Sequence, residues 1–368
     1  MIETVFCIDI GTTSLKAGLI SAAGEVVFIC VRHFFNFSDR FIAYFWKDAL
    51  KSAVFEMNKT VDFSLYKICA ISVSGNGPTV VLNSALTFKW NEDVSFLDKN
   101  YPFLKNEHSL FLPRILGMKS QFFKEFNLSK WIFSGPEFLI FELTDNAVTI
   151  LPNDRFISAY WDSDLLLKYQ IEEKKMPPFK KIAQICGYLN EKTSSELGLP
   201  QKIPVVGGGP DFVAALIGTK TLQSGKLCDR SGSSEGFNLA TSAFIYDKKV
   251  RSLPSVIDNL WNISVLIPNS ADLPQKQRFS EAKKSIEILK KLAEKNGILF
   301  PKKMTATGGQ TKNLELLKQK SQILNMEIAV CQCADAEILG DACAGFVALK
   351  KYKNLAEAAE NIITETVV

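Results

Sequence analysis

Apolar and polar positions alternate in strand fashion from the first residues. Between Thr4 and Ile20 strand-forming residues flank a polar turn, Gly11-Thr12-Thr13-Ser14, and Val26 to Val31 follows after Gly24. That spacing predicts a β-meander. Leu50 to Met57 has helical spacing, and Lys67 to Ser74 is a β-rich buried run that stops at the turn formers Gly75-Asn76-Gly77-Pro78. A loop at a strand end is a favoured place for a ligand contact. Ser109 to Phe126 and Gly135 to Leu143 have helical periods, and Met176-Pro177-Pro178 marks a break. Ile203 to Val206 reads as a short buried strand. Immediately after it, Gly207-Gly208-Gly209-Pro210-Asp211 forms a turn that delivers an acid to the start of an apolar helix, Phe212 to Ile217.

The second half repeats the theme. Lys226 to Thr241 reads as strand, Gly-Ser-Ser turn, strand; Ser280 to Asn296 is a basic amphipathic helix closed by Gly297. Lys303 to Gly309 is a strand entering a glycine turn, followed by a helix (Leu314 to Leu324), a strand (Ile328 to Cys333) and a small-residue helix (Ala336 to Lys351). The order is mixed α/β throughout. Cys7-Ile8-Asp9-Ile10-Gly11-Thr12-Thr13 and Cys228-Asp229-Arg230-Ser231-Gly232-Ser233-Ser234 share a strand, a glycine turn and paired hydroxyls, one such hairpin per half. Such a pair suits a polyphosphate, because backbone N–H groups and hydroxyls donate without steric bulk.

A length of 368 residues exceeds what one hydrophobic core usually serves, so two domains are expected. With 47% hydrophobic and 22% charged residues the chain is far from the disordered class. A net charge of +4 spread over this length argues against a nucleic-acid partner. The longest apolar runs, such as Phe133 to Phe141, are broken by Gly135, Pro136 and Glu137, short of the roughly 20 residues that span a bilayer. No membrane association is expected, and the start of the chain lacks a basic, cleavable leader pattern. Eight scattered cysteines suit reduced, buried thiols and a cytoplasmic location. Cys331 and Cys333 would share one strand face, and no His or Cys partners follow, which favours core packing over a metal site.

Three segments occur in order: Ile8-Asp9-Ile10-Gly11-Thr12-Thr13-Ser14-Leu15-Lys16; Gly232-Ser233-Ser234; and Thr307-Gly308-Gly309-Gln310 with Asn313. They resemble the phosphate-1, phosphate-2 and adenosine motifs of the actin, Hsp70 and sugar-kinase superfamily. With Gly198-Leu199-Pro200, Ile203-Pro204-Val205-Val206, the Gly207 to Asp211 turn and Ala336-Glu337-Ile338-Leu339-Gly340-Asp341-Ala342, the pattern resembles the FGGY carbohydrate kinases, xylulose kinase-like members among them. The resemblance implies an α/β fold of two RNase H-like, actin/hexokinase-type domains, each a five-strand-type sheet flanked by helices, with an ATP cleft between them. An N-terminal domain over 1–217 would hold most sugar contacts, and a C-terminal domain over 218–368, hinged near Gly218, would carry the phosphate-2 and adenosine motifs.

The same resemblance implies roles. Asp211 would be the general base toward a sugar or polyol hydroxyl, where a helix-dipole acid is the plainer alternative. Asp9 would organise Mg²⁺, mostly through water, or else merely cap its turn. Gly11, Thr12, Thr13, Gly232, Ser233 and Ser234 would hold phosphates. Lys16 would either add charge there or be a solvated strand residue. Gly308, Gly309, Gln310 and Asn313 would hold adenosine, and Asn76, Gly77 and Trp90 the acceptor. Asp229 and Arg230 stand where the family has less charged residues, in structural ion pairs or near a phosphate. The cofactors implied are ATP and Mg²⁺, with a homodimer as one assembly open to the chain.

The chain also departs from the family. The sugar loop reads Ser74-Gly75-Asn76-Gly77-Pro78, and a second substrate motif is reduced to Trp90-Asn91-Glu92-Asp93 with no matching Arg. The stretch between Arg251 and Lys302 is short, implying a trimmed second domain. These departures keep open a catalytically impaired member that binds nucleotide or polyol as a sensor or interaction module. A third reading is an ATPase of the same superfamily that phosphorylates nothing, although such a protein would not require Asp211 behind its glycines.

Overall fold

The fold was obtained as a computed structural model, which describes residues 1–35, 39–232 and 234–368. The chain divides into two compact units: Met1–Asp211 with Ala344–Lys351, and Phe212–Cys343 with Tyr352–Val368. The first divide falls at Asp211/Phe212, at the opposite end of one helix from the expected 217/218 boundary. A second crossing near the C-terminus, where a helix returns residues 344–351 to the first unit, has no signal in the sequence pattern.

The first unit opens with the expected meander, β1 (Ile2–Ile10), β2 (Ser14–Ser21) and β3 (Val26–His33), then α1 (Ile42–Thr60) and β4 (Tyr66–Gly75). An insert follows: β5 (Val80–Leu82), β6 (Thr87–Phe88), α2 (Leu112–Gln121), α3 (Phe123–Leu128) and β7 (Ile132–Ser134). The chain continues through α4 (Gly135–Thr144), β8 (Thr149–Leu151), α5 (Ser163–Lys168), β9 (Phe179–Lys181), β10 (Ile185–Tyr188), α6 (Glu191–Leu197) and β11 (Pro204–Pro210). The main sheet has the order β10-β11-β4-β1-β2-β3. β1 pairs β2 antiparallel and β4 parallel, and β4 pairs β11 parallel. β1 is a continuous apolar run because both its faces are covered; Val5 to Ile8 are fully buried. α1 lays Trp46, Leu50, Ala53, Val54 and Met57 toward the core, at helical spacing.

The second unit begins within α7 (Asp211–Gly218) and runs β12 (Leu227–Ser231), β13 (Glu235–Thr241), β14 (Arg251–Pro254), β15 (Trp261–Ile267), α8 (Gln275–Lys295), β16 (Lys303–Gly308), α9 (Leu314–Leu324) and β17 (Glu327–Cys331). It ends with α10 (Ala336–Ala348), α11 (Leu355–Ile362) and β18 (Glu365–Val367). Its sheet order is β14-β15-β13-β12-β16-β17-β18. Here β12, β16 and β17 are parallel, while β13 and β15 continue antiparallel from β12. The sequence β15-β13-β12-β16-β17 thus repeats β3-β2-β1-β4-β11 strand for strand and direction for direction. The duplication suggested by two short motifs extends to five strands in each unit, with extra strands at the edges. The stretch after Arg251 supplies β14, β15 and the 21-residue α8, whose Ala282, Ile286, Leu289 and Ala293 pack in the core of this unit.

Glu137, near the start of α4, is fully buried. Its Oε1 accepts from the Ile150 amide at 2.7 Å, and its Oε2 has no hydrogen-bond partner among the described residues. Burial pushes its carboxyl up to about 7, against the opposing pull of the Ile150 amide. Since the folded protein holds this proton more tightly than the unfolded chain, folding stability falls as pH rises from about 4.5 to about 7, by roughly 3 kcal/mol in all. Glu137→Gln keeps the bond to Ile150 and removes the titration. It is expected to raise the melting temperature at pH 8 and leave it nearly unchanged at pH 5, which thermal scans at the two pH values would check.

Candidate functional site

Three parallel strands of the first unit, β1, β4 and β11, end side by side. The register sets Asp9 against Ser74 and Ser74 against Gly209, one row across three strands, with Gly75 against both Ile10 and Pro210. Ligands of open α/β sheets collect beyond the carboxyl ends of such strands. Residues singled out in the sequence for phosphate and for the acceptor lie just past that row: Gly11 to Thr13 after β1, Asn76 and Gly77 after β4, Asp211 after β11. The glycines before Asp211 belong to β11 itself instead of a free turn. A register shift between Gly207 and Gly209 bulges the strand, and Gly209 takes φ +80, a left-handed value that side chains resist. Asp211 leaves the bulge half-buried as the first residue of α7.

Asp9 is 3% exposed. Ser74 Oγ donates to its Oδ1 at 3.5 Å, and Lys16, directly opposite on β2, stands 3.6 Å from its Oδ2. Lys16 is therefore neither a plain solvated strand residue nor directed at solvent alone. Thr12 is tied to the acceptor residues: the Trp90 indole N–H donates to Thr12 Oγ1 at 3.0 Å, and Thr12 Oγ1 donates to Asn76 Oδ1 at 3.4 Å. A cavity of about 10 Å³, the room of one water, opens among Gly11, Thr12, Trp46, Asn76, Thr79 and Lys89. The buried indole N–H of Trp46, which has no hydrogen-bond partner among the described residues, belongs to its lining.

The insert presents Trp90. Its amide donates to Thr79 Oγ1 at 3.3 Å, and Arg114 of α2 donates to its carbonyl, through Nε at 2.8 Å and through a terminal nitrogen. An arginine thus does reach the Trp90 segment, from a helix 24 residues on, and it grips backbone. Glu92 Oε1 accepts from the Lys89 amide at 2.8 Å and its other oxygen pairs with Arg40, so the Trp90 loop is braced from both sides.

In the second unit the phosphate-2 turn joins β12 to β13, with the Gly232 amide donating to the Ser234 carbonyl at 2.9 Å; Ser233 lies outside the described residues. Gly308 ends β16 with φ +94, and a Cβ there would lie 2.3 Å from the Ser231 carbonyl oxygen. Only glycine fits between these two strand ends. Gly309 is exposed, with open space where its Cβ would point. Asn313 caps α9, its side chain accepting from the Leu316 amide at 3.0 Å. Gln310 is buried and its amide is engaged inside the protein: Nε2 donates to Glu235 Oε2 at 3.2 Å and Oε1 accepts from Lys320 at 3.3 Å. Its side chain is scaffold for the turn.

Arg230 and Asp229 point to opposite faces of β12. Arg230 lies 3.6 Å from Glu337, while Asp229 is wholly buried and pairs with Lys320. Each thus takes part in an ion pair. Seven of the eight free cysteines are buried, Cys331 and Cys333 among them, and burial pushes the Cys331 thiol up to about 12. Among the described residues no group of three His, Cys, Asp or Glu could hold a metal ion, and no helix is long and apolar enough to cross a membrane. A larger groove of about 610 Å³ lies between α8 and α9, lined by Phe279 and Ile323, away from these turns.

Residues 131–218 match the FGGY family of carbohydrate kinases, N-terminal domain. No curated protein matches the chain in sequence. Among solved structures, the chain is similar to ligand-bound xylulose kinase from Lactobacillus acidophilus (TM-score 0.78, 15% identity, 99% of this chain and 93% of that one). It is similar to gluconate kinase from the same organism (0.78, 15%, 100% and 93%) and to Plasmodium falciparum glycerol kinase with ADP (0.79, 16%, 100% and 94%). Residues 131–218 thus match the N-terminal domain of the FGGY family of carbohydrate kinases, and over its length the chain shares the fold of these solved kinases.

Proposed function

We propose that the chain transfers the γ-phosphoryl group of ATP to a hydroxyl of a sugar or polyol, with Asp211 as general base. The observation that carries this reading is the row of strand ends in the first unit, where Asp9, Ser74 and Gly209 align and Asp211 follows one residue after the pairing of Pro210 with Gly75. Phosphoryl transfer asks little covalent chemistry of a protein; it asks for an aligned hydroxyl, a proton acceptor and donors around dispersed charge. Asp211, carried by a bulged strand into a helix start, would accept the acceptor's proton as its oxygen bonds to the γ-phosphorus and ADP departs. Asn76, Gly77 and Trp90 would hold the acceptor, whose identity the unusual loop leaves to assay.

Gly11, Thr12 and Thr13 on the first unit would donate to phosphate oxygens, with Lys16 adding charge. Gly232, Ser233 and Ser234 on the second would do the same, and the backbone of Gly308 and Gly309, with Gln310 and Asn313 shaping the turn, would meet adenosine. Mg²⁺ keeps most of its water and takes one or two carboxylates beside substrate phosphates, a demand that the single oxygen donor Asp9, held by Ser74, fits. When bound, the ion would neutralise charge on the transferring phosphates. The protein is read as cytoplasmic, with a homodimer as one assembly open to it.

An assay with ATP, Mg²⁺ and a panel of ketoses, aldoses, sugar acids and polyols tests the proposal. Phosphorylation of at least one is expected; binding of ADP and an acceptor without transfer to any would instead make the chain a sensor. Trp90→Phe keeps an aromatic face and deletes the bond to Thr12. The expected outcome is a rise in KM for the acceptor of roughly two- to tenfold, the worth of one hydrogen bond, with KM for ATP little changed.

A further inference from the structure

Beneath the two nucleotide turns of the second unit lies a cluster whose charged members, Lys320, Asp229 and Glu235, none of the assigned roles uses. Lys320 is a helix residue on the buried stripe of α9, between Leu317 and Leu324, and it is 0% exposed. Its ammonium donates to Asp229 on β12, to Glu235 Oε1 at 2.6 Å and to Gln310 Oε1 at 3.3 Å, which uses all three N–H bonds. The remaining oxygens are satisfied as well: Ser231 Oγ donates to Asp229 Oδ1 at 3.1 Å, and Gln310 Nε2 to Glu235 Oε2 at 3.2 Å. The Phe237 ring lies 5.4 Å below the ammonium.

The positions of these groups give the network a task. Asp229 and Ser231 precede the phosphate-2 turn and Glu235 is the first residue after it; Gln310 lies inside the adenosine turn. The ladder between β12 and β16 ends at the pair Ser231 and Gly308. Among the described residues no strand pairing joins the two turns past that rung, and the Lys320 network spans them. A buried, fully satisfied polar network has one low-energy arrangement, which makes it suited to fixing a spacing. Without the ammonium, two carboxylates would share a dry site, a strongly unfavourable state. Burial and then the Asp229 charge already push the Glu235 carboxyl up, and Lys320 opposes them.

We propose that Lys320 is a positioning residue: bound to Asp229, Glu235 and Gln310, its ammonium holds the phosphate-2 turn and the adenosine turn at the one spacing that binds a nucleotide diphosphate. The nucleotide part rests on the function proposed above; the clamping of the turns stands on the geometry alone.

The test compares wild type, Lys320→Met, and the triple variant Asp229→Asn/Glu235→Gln/Lys320→Met, all as full chains. Amide hydrogen exchange is read at 231–235 and 308–313, with Gly11 to Ser14 and β14–β15 as internal references, alongside ADP affinity by calorimetry with Mg²⁺. Lys320→Met is expected to speed exchange at both turns at least tenfold while the references change less than twofold. ADP binding should weaken at least tenfold, and KM for ATP should rise more than kcat falls. The triple variant removes the carboxylate repulsion and should recover part, not all, of the protection. Turns as protected as wild type in either variant, or protection lost evenly across β14–β15 as well, would overturn the proposal. Should Lys320→Met fail to fold, the triple variant alone decides by the same criterion. A wild-type chain that does not bind ADP would count against the nucleotide reading, and the exchange data would still judge the clamp.

Discussion

Asp211→Asn is expected to abolish phosphorylation of the acceptor, lowering kcat by about 10² to 10⁴, while ADP affinity stays within a few-fold of wild type. Asparagine matches the carboxylate in size and hydrogen-bonding reach but cannot take up the hydroxyl proton. Asp211 is the first residue of α7, so the substitution also removes a favourable charge at a helix N-terminus, worth about 0.3 to 1 kcal/mol. A fall in stability of that size leaves the protein folded, and it separates loss of chemistry from loss of structure. ADP release measured by a coupled assay, with calorimetry on the same sample, checks both halves. Turnover at the wild-type rate would remove Asp211 from the role of base, whatever else the chain does.

How far the sequence foretold this arrangement depends on whether the signal was local. Strands and turns at strand ends were legible because apolar runs and glycine-hydroxyl clusters are written in adjacent residues; Leu314–Leu324 was bounded correctly because Asn313 caps it and Asn325 ends it in the left-handed conformation. Duplication could be inferred from seven residues in each half, yet only the sheet order shows that it covers five strands. The short strands β5 to β9 were missed, since runs of two or three residues carry no period. For β14 and β15 the cause differs: the shortness of the stretch between Arg251 and Lys302 implies a trimmed domain, yet both strands lie there.

The site divides in the same way. Residues after β1, β4 and β11 could be named in advance because each ends a buried run, but the register that aligns Asp9, Ser74 and Gly209 is a long-range fact. Arg114, Trp46 and Thr79 had no local mark. Lys320 did have one, a lysine spaced at i+3 and i−4 from Leu317 and Leu324 on an otherwise apolar helix face, with two acids, Asp229 and Glu235, on either side of the Gly-Ser-Ser turn. A charge on a core stripe demands a buried partner, and the only cue to which partner lies in the hairpin. Gln310 shows the converse failure: its residue type suggested a ligand contact, and the fold uses both ends of its amide internally.

Gly308→Leu and Gly309→Ala, made in parallel, should separate what the adenosine turn needs for folding from what it needs for binding. At Gly308 the backbone has φ +94 and the first side-chain carbon would fall 2.3 Å from a backbone oxygen, so no rotamer change can relieve the clash. A backbone with φ +94 and ψ −170 costs a residue with a side chain about 1 to 3 kcal/mol, and the overpacking about 1 to 3 kcal/mol more. The strand ends at Ser231 and Gly308 must part, the clamp around Gln310 must open with them, and ADP affinity is expected to fall at least 100-fold with a melting temperature several degrees lower. Gly309 has ordinary φ and nothing within 4 Å of its would-be side chain. Its alanine variant should melt with the wild type. If nucleotide lies flat against that backbone, the added methyl displaces it and weakens ADP binding about tenfold at unchanged stability, with acceptor binding to the first unit intact in both variants. An affinity equal to wild type in Gly309→Ala would mean that adenosine does not sit on this turn.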